Sequence, residues 1–250
     1  MNNSFVSGAG YLFRGLGLLT KPGIRLYAII PLLINMALFA LAIWYGYSQF
    51  ELFILWANGF LPSWLQWLGW VLIPLFVVSA GVVIFFTFSV MANIVGAPFN
   101  SILALRVERY LGGQGPGEGQ AGMKQFALRL IPLVWNEINK LAYSLLWTIP
   151  FLVLFIIPVV NVAAPFLWML FSAWILAIQY ADVPMGNHDV TGKMVRKQLR
   201  DRRAMSFGFG GITLLMTSIP FINFLVMPTA VAGATIMWVE VLSTDQKQTS

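Results

Sequence analysis

Four stretches of this chain carry no charged side chain: 26–50, 52–105, 141–181 and 204–239, of 25, 54, 41 and 36 residues. An α-helix needs about 20 apolar residues to cross the hydrocarbon core of a bilayer. Charged residues make up only 10% of the chain, against about 25% in a soluble domain. A soluble protein of this size could not cover its surface with so few. Mean hydropathy is +0.79. These values exclude an ordinary soluble enzyme and a disordered chain. The sequence predicts an all-α integral membrane protein, one membrane domain over 1–250.

The first block fits one spanning helix, 26–50. The second holds a turn at Leu61-Pro62-Ser63 and then one long spanning helix, 67–105. Trp56, Trp64, Trp67 and Trp70 flank that turn, where Trp collects at headgroup level. Block 141–181 could hold two spans with almost no loop, whereas 204–239 cannot comfortably hold two. Splitting 204–239 at Pro220-Phe221-Ile222-Asn223 leaves arms of 16 residues, about 24 Å each against a core of about 30 Å. Block 141–181 splits similarly at Pro158-Val159-Val160-Asn161. The breaks IPVVN and IPFIN resemble each other, with Pro165 and Pro228 following. They predict two re-entrant helical hairpins, 141–181 and 204–239, whose freed backbone groups are buried or line a wet cavity. Four further short spans are the alternative. Both arrangements return the chain to the same side.

The 15 basic residues all fall outside the 51–64 loop, in the N-terminus, 106–140, 182–203 and the C-terminal tail. The positive-inside rule places those segments in the cytoplasm. Residues 1–25 show no apolar run followed by a small-residue cleavage site, so no cleavable signal peptide is expected. Phe5, Ala9, Leu12, Leu16 and Leu19 form an apolar stripe with Ser7, Arg14 and Lys21 elsewhere. Residues 1–22 therefore read as an amphipathic helix on the inner surface. Six glycines in 112–122 predict a flexible cytoplasmic loop.

Cysteine is absent and His188 is the single histidine, so thiolate chemistry and any site of two imidazoles are excluded. A net charge of +6 is too sparse for a nucleic-acid footprint. No phosphate loop, nucleophile elbow or zinc motif occurs, and no ionisable residue lies deep within a span. No cofactor and no enzyme activity are expected.

Three basic groups remain as candidates. Lys21-Pro22-Gly23-Ile24-Arg25 stands where the first span begins. Proline suits a helix start, and the amides of Gly23, Ile24 and Arg25 would then lack intrahelical partners at the positive end of the dipole. With the Arg25 guanidinium they form an anion site. The plain alternative makes Lys21 and Arg25 anchors of a transmembrane helix. Arg106 and Arg109 share a face at the end of the second long helix, with Glu108 placed to hold one of them; they suit an anion pathway or a solvated helix end. Arg196, Lys197, Arg200, Arg202 and Arg203 suit anionic lipid headgroups, anion collection near a vestibule, or a solvated cytoplasmic face. Asn35, Asn93, Asn161 and Asn223 are polar groups at membrane depth that line a water path or bond across helices.

The stretches GLGLLTKPGIRLYAIIPLLIN (15–35), NIVGAPFNSILALRVE (93–108), YADVPMGNHDV (180–190), RKQLRDRRAMSFGFG (196–210) and IPFINFLVMPTAVAGAT (219–235) resemble the CysZ family of bacterial sulfate permeases, in order and along almost the whole chain. The family's Pro-Gly-Leu-Arg element has Ile24 in place of leucine here. The resemblance implies sulfate entry, with sulfite or related oxyanions as further substrates, across a bacterial inner membrane for assimilation into cysteine, without a nucleotide-binding subunit. It implies homo-oligomers, spanning and half-penetrating helices, and lipid contact. It maps a sulfate site onto Gly23, Ile24 and Arg25, and an anion pathway onto Arg106, Glu108 and Arg109. It also implies subunits packed in opposite orientations, which the one-sided basic residues do not predict. A non-conducting scaffold or accessory subunit of another transporter is the rival reading.

Overall fold

The computed structural model describes residues 3–60, 68–113 and 142–243, and among these it is helical with no strand. The turn at 61–63, Trp64 and Trp67, nearly all of the glycine-rich loop and the tail beyond 243 lie outside the described residues, as do the side chains of Asn35, Trp56 and Asn93. The chain divides into two compact units, one of Met1–Ala28 with Asn100–Ser250 and one of Ile29–Phe99.

The second unit holds the central parts of two long helices, α2 (Arg25–Phe60) and α3 (Gly69–Tyr110). Both outrun their predicted lengths. Residues 51–60, expected as loop, continue α2, because a lone glutamate does not end a helix. Pro31, Pro74 and Pro98 are accommodated within the helices. The Phe53 and Phe76 rings stack at 3.8 Å between centroids. Most other apolar side chains of this unit have no protein over them: Trp44 is 68% exposed and Leu55 70%. A soluble protein does not leave such a surface bare, whereas lipid covers it at no cost.

The first unit is built around a buried cluster that includes Leu12, Ile24, Leu103, Val107, Met185, Phe209 and Trp238. Its helices are α1 (Phe5–Leu18), α4 (described over Ala142–Leu154), α5 (Ala164–Asn187), α6 (Gly192–Asp201), α7 (Arg203–Thr217) and α8 (Pro220–Met237), the last running into a π turn, Trp238–Leu242. A capping box starts α1, the Ser7 amide donating to Ser4 Oγ at 3.1 Å and the Ser4 amide to Ser7 Oγ at 3.3 Å.

The packed face of α1 is Gly8, Tyr11, Leu12 and Gly15. Of the predicted apolar stripe, Leu12 belongs to that face, while Phe5 is exposed and Ala9, Leu16 and Leu19 are half-buried. A Cβ on Gly8 would stand 2.0 Å from the Met205 carbonyl oxygen, and one on Gly208 2.0 Å from that of Phe5. Backbones therefore touch where α1 crosses α7. Small residues serve the same end where Gly15 meets Gly233 on α8. Arg14 Nη1 donates to Glu240 Oε2 at 2.9 Å, and its Nη2 donates to the other carboxylate oxygen. The bond to Glu240 holds the Arg14 guanidinium above its usual range.

Two helical hairpins follow, and they differ. Between α4 and α5 the chain turns over 155–163, with a 3-10 turn at Val160–Val162. Between α7 and α8 only Ser218 and Ile219 intervene. The break predicted at Pro220–Asn223 is corrected: Pro220 begins α8, in the helix position where a missing N–H costs nothing. Pro228 lies inside α8. The likeness of IPVVN and IPFIN is not matched in geometry. Both tips bond their own backbone, through Asn161 N–H to Ile157 O at 3.0 Å and Ile219 N–H to Met216 O at 3.2 Å, among others. Thr213, Thr217, Ser218 and Thr235 return their hydroxyls to the carbonyl four residues back. Polar groups in these apolar helices are thus largely satisfied in place. Arg25–Leu55, Ala164–Asn187 and Ile222–Leu242 are long and apolar enough to cross a membrane.

Candidate functional site

The start of α2 differs from the expected open helix end. The amides of Ile24 and Arg25 both donate to the Lys21 carbonyl, each at 3.2 Å. One carbonyl thus closes a turn before the helix begins, and two of the three amides predicted to be unpartnered are taken. The Gly23 amide meets no acceptor among the described residues. Gly23 has φ +87°, and a Cβ there would meet open space. Glycine is needed here for its backbone conformation and leaves the segment uncovered.

Ile24 is 2% exposed and belongs to the same buried cluster as Leu103, Ala104 and Val107. Its side chain pins the turn to the end of α3, while Lys21, Gly23 and Arg25 stay exposed. Two residues on, Tyr27 receives the Arg106 guanidinium over its ring, with Cζ 5.3 Å from the centroid. The structure thereby brings Arg106 beside the Gly23–Arg25 turn. Arg109 is exposed in the last turn of α3.

Glu108 departs from its predicted role. It is 3% exposed, and its carboxylate oxygens lie 2.9 and 3.0 Å from His188 Nε2 instead of holding an arginine. The cause is the way two helices end. On α3 the Gly113 amide bonds to the Glu108 carbonyl at 2.9 Å and the Gly112 amide to that of Arg109 at 3.0 Å, with Gly112 at φ +75°. This is a Schellman motif. On α5 the Val190 amide bonds to Met185 O at 3.1 Å and the Asp189 amide to Gly186 O at 3.1 Å, with Asp189 at φ +57°. A second such motif results, with its apolar contact supplied by buried Val190 and Met185. Asn187 Nδ2 donates to Ser101 O at 3.0 Å and ties the ends together. The His188 ring also lies 5.3 Å from that of Trp238.

Exposed cations gather at the paired ends of α2 and α3 as a result, while the neighbouring carboxylate is turned inward. Such a rim attracts anions and offers them guanidinium forks with one backbone N–H. Among the described residues no group of His, Asp and Glu is placed to hold a metal ion.

The family described as sulfate transporter CysZ/etoposide-induced protein 2.4 matches this chain over residues 11–228. The chain belongs to this family. The match includes the turn at Gly23, the end of α3 and the His188 segment. The family's description is that of a transporter, and the long apolar helices are those of a membrane protein.

Sequence reasoning missed His188, Tyr27 and the Schellman ends. Gly112-Gly113 is a helix-stop signal that the glycine-rich stretch 112–122 obscures. Nothing local announces a pairing of Glu108 with a residue 80 positions away.

Proposed function

We propose that this protein is a sulfate permease of a bacterial inner membrane, admitting sulfate and related oxyanions such as sulfite to the cytoplasm for cysteine synthesis without ATP hydrolysis. The observation that carries the reading is the cationic rim, where exposed Gly23 and Arg25 stand beside Arg106 on Tyr27. Family membership supplies the anion.

In this reading the Gly23 amide and the Arg25 guanidinium bind the oxyanion. Ile24 serves by anchoring the turn through its side chain, since its amide already bonds to Lys21. Arg106 and Arg109 draw anions towards the rim, and the Glu108–His188 pair fixes the helix end that carries them. The short arm α7, 15 residues long, reaches about 22 Å and supports a hairpin that turns within the bilayer. The bare apolar faces of α2 and α3 meet lipid or a second copy of the chain.

Titration of purified protein with sulfate tests the site. Arg25→Ala removes a charge-assisted hydrogen bond of about 1.5–3 kcal/mol, which is about a tenfold to 150-fold loss of affinity. Unchanged affinity removes Arg25 from the site. The occupied amides of Ile24 and Arg25 favour a second reading, a non-conducting accessory subunit. That reading requires purified protein that passes no sulfate while cells lacking it lose uptake only together with a partner transporter.

A further inference from the structure

Away from the rim, α4, α5, α6 and α7 line a groove of about 350 Å³. Its two ends differ in chemistry. Arg200 and Arg203 line one end, where Trp174 Nε1 donates to the Tyr143 hydroxyl at 3.4 Å. Arg196 lies over the Tyr143 ring, with Cζ 4.6 Å from its centroid. The other end is lined by Phe151, Leu167 and Phe171, the two phenylalanines stacked at 4.6 Å. Tyr143, Trp147 and Phe151 follow one face of α4 down the groove, a run of about 12 Å at the helical rise.

The arginines are placed for an external anion. Arg196 and Arg200 lie four residues apart on α6, whose other side buries Val195 and Leu199, and Arg203 opens α7 three residues further on; Arg200 and Arg203 are exposed and Arg196 is half-buried. Among the described residues none of the three is recorded in an ion pair with a carboxylate. Arg203 Nε donates to the Arg200 carbonyl at 3.2 Å, which holds its side chain across the start of α7 with both terminal nitrogens available.

We infer that this groove binds one anionic phospholipid, its phosphate held by Arg200 and Arg203 and its first acyl chain laid along Trp147, Phe151 and Phe171. An aromatic slot alone would accept any apolar chain, and an arginine pair alone any anion. The gradient from guanidinium to phenylalanine within one groove selects a molecule that carries both, and a phospholipid with net negative charge complements the cluster best. The assignment does not depend on sulfate conduction.

Photolabelling of the full chain tests it. The protein is reconstituted in neutral lipid containing phosphatidylglycerol with a diazirine on the acyl chain, irradiated, and mapped by peptide. Label is expected to concentrate on α4 and α5 at 143–151 and 167–174. It should fall about tenfold or more in Arg200→Gln/Arg203→Gln and recover in part in the double lysine variant. Both arginines are exposed, so these variants retain the fold. Diazirine-bearing diacylglycerol, which lacks the phosphate, should label these peptides weakly, and excess inorganic phosphate should leave the label in place. Label spread evenly over the exposed helices, equal labelling by diacylglycerol, or loss to inorganic phosphate would overturn the assignment. Undiminished label in the glutamine variant would do so as well.

Discussion

Glu108 Oε1 stands 2.9 Å from His188 Nε2 and joins the ends of α3 and α5. Removing the ring strands a carboxylate that is 3% exposed. His188→Ala is therefore expected to destabilise the protein by about 3 kcal/mol. Glu108→Gln keeps an acceptor for the ring and should cost about 1 kcal/mol. Thermal unfolding in detergent measures both. Equal melting of wild type and His188→Ala would show that the pair contributes nothing.

The backbone contacts of α1 predict opposite outcomes for one substitution at two glycines. Gly208→Ala places a methyl 2.0 Å from the Phe5 carbonyl oxygen, so α1 and α7 must part at a cost of at least about 2 kcal/mol. Gly10 faces open space within the same α1, and Gly10→Ala should gain about 0.5–1 kcal/mol. The order of the two melting temperatures decides whether α1 is docked by its glycine face.

Val159 carries φ +71° and ψ −47° at the tip between α4 and α5, and it is 86% exposed. That conformation is close to the classic γ-turn and strains a β-branched residue. Val159→Gly should raise stability by about 1 kcal/mol, read as a higher unfolding temperature. A lower one would mean that the valine side chain is held by contacts in the membrane.

Arg106 is an exposed charge that touches protein through the Tyr27 ring, and the proposed function gives it the task of drawing anions. Arg106→Gln should slow sulfate entry several-fold at low ionic strength and far less at high salt, because salt screens an exposed charge. Melting should change by no more than about 1 kcal/mol. A rate loss independent of salt would assign Arg106 to structure.

The charge-free blocks disclosed the long helices because a bilayer leaves no alternative for such segments. Helix ends were harder to read. Glu51 looked like a boundary, yet α2 runs on to Phe60, since one charge breaks no helical hydrogen bond. Pro220 reads as a helix breaker in the sequence, yet it initiates α8. The face by which α1 packs on protein is not legible in its apolar periodicity, which gives no weight to glycine, while Gly8 and Gly15 set close backbone contacts. At the site, the residue types at 23–25 and the exposure of Arg25 and Arg106 were accessible from pattern. The Lys21 carbonyl that takes two amides was not, because it depends on whether the helix begins at Pro22 or three residues later.

Sulfate flux through the purified protein tests the central claim most directly. Proteoliposomes holding the wild-type chain should accumulate radiolabelled sulfate down its gradient with no ATP present, and Arg25→Ala should reduce the initial rate about tenfold or more at subsaturating sulfate. Wild-type vesicles that admit no more sulfate than empty ones, or an Arg25→Ala protein that conducts as well as wild type, would contradict the account.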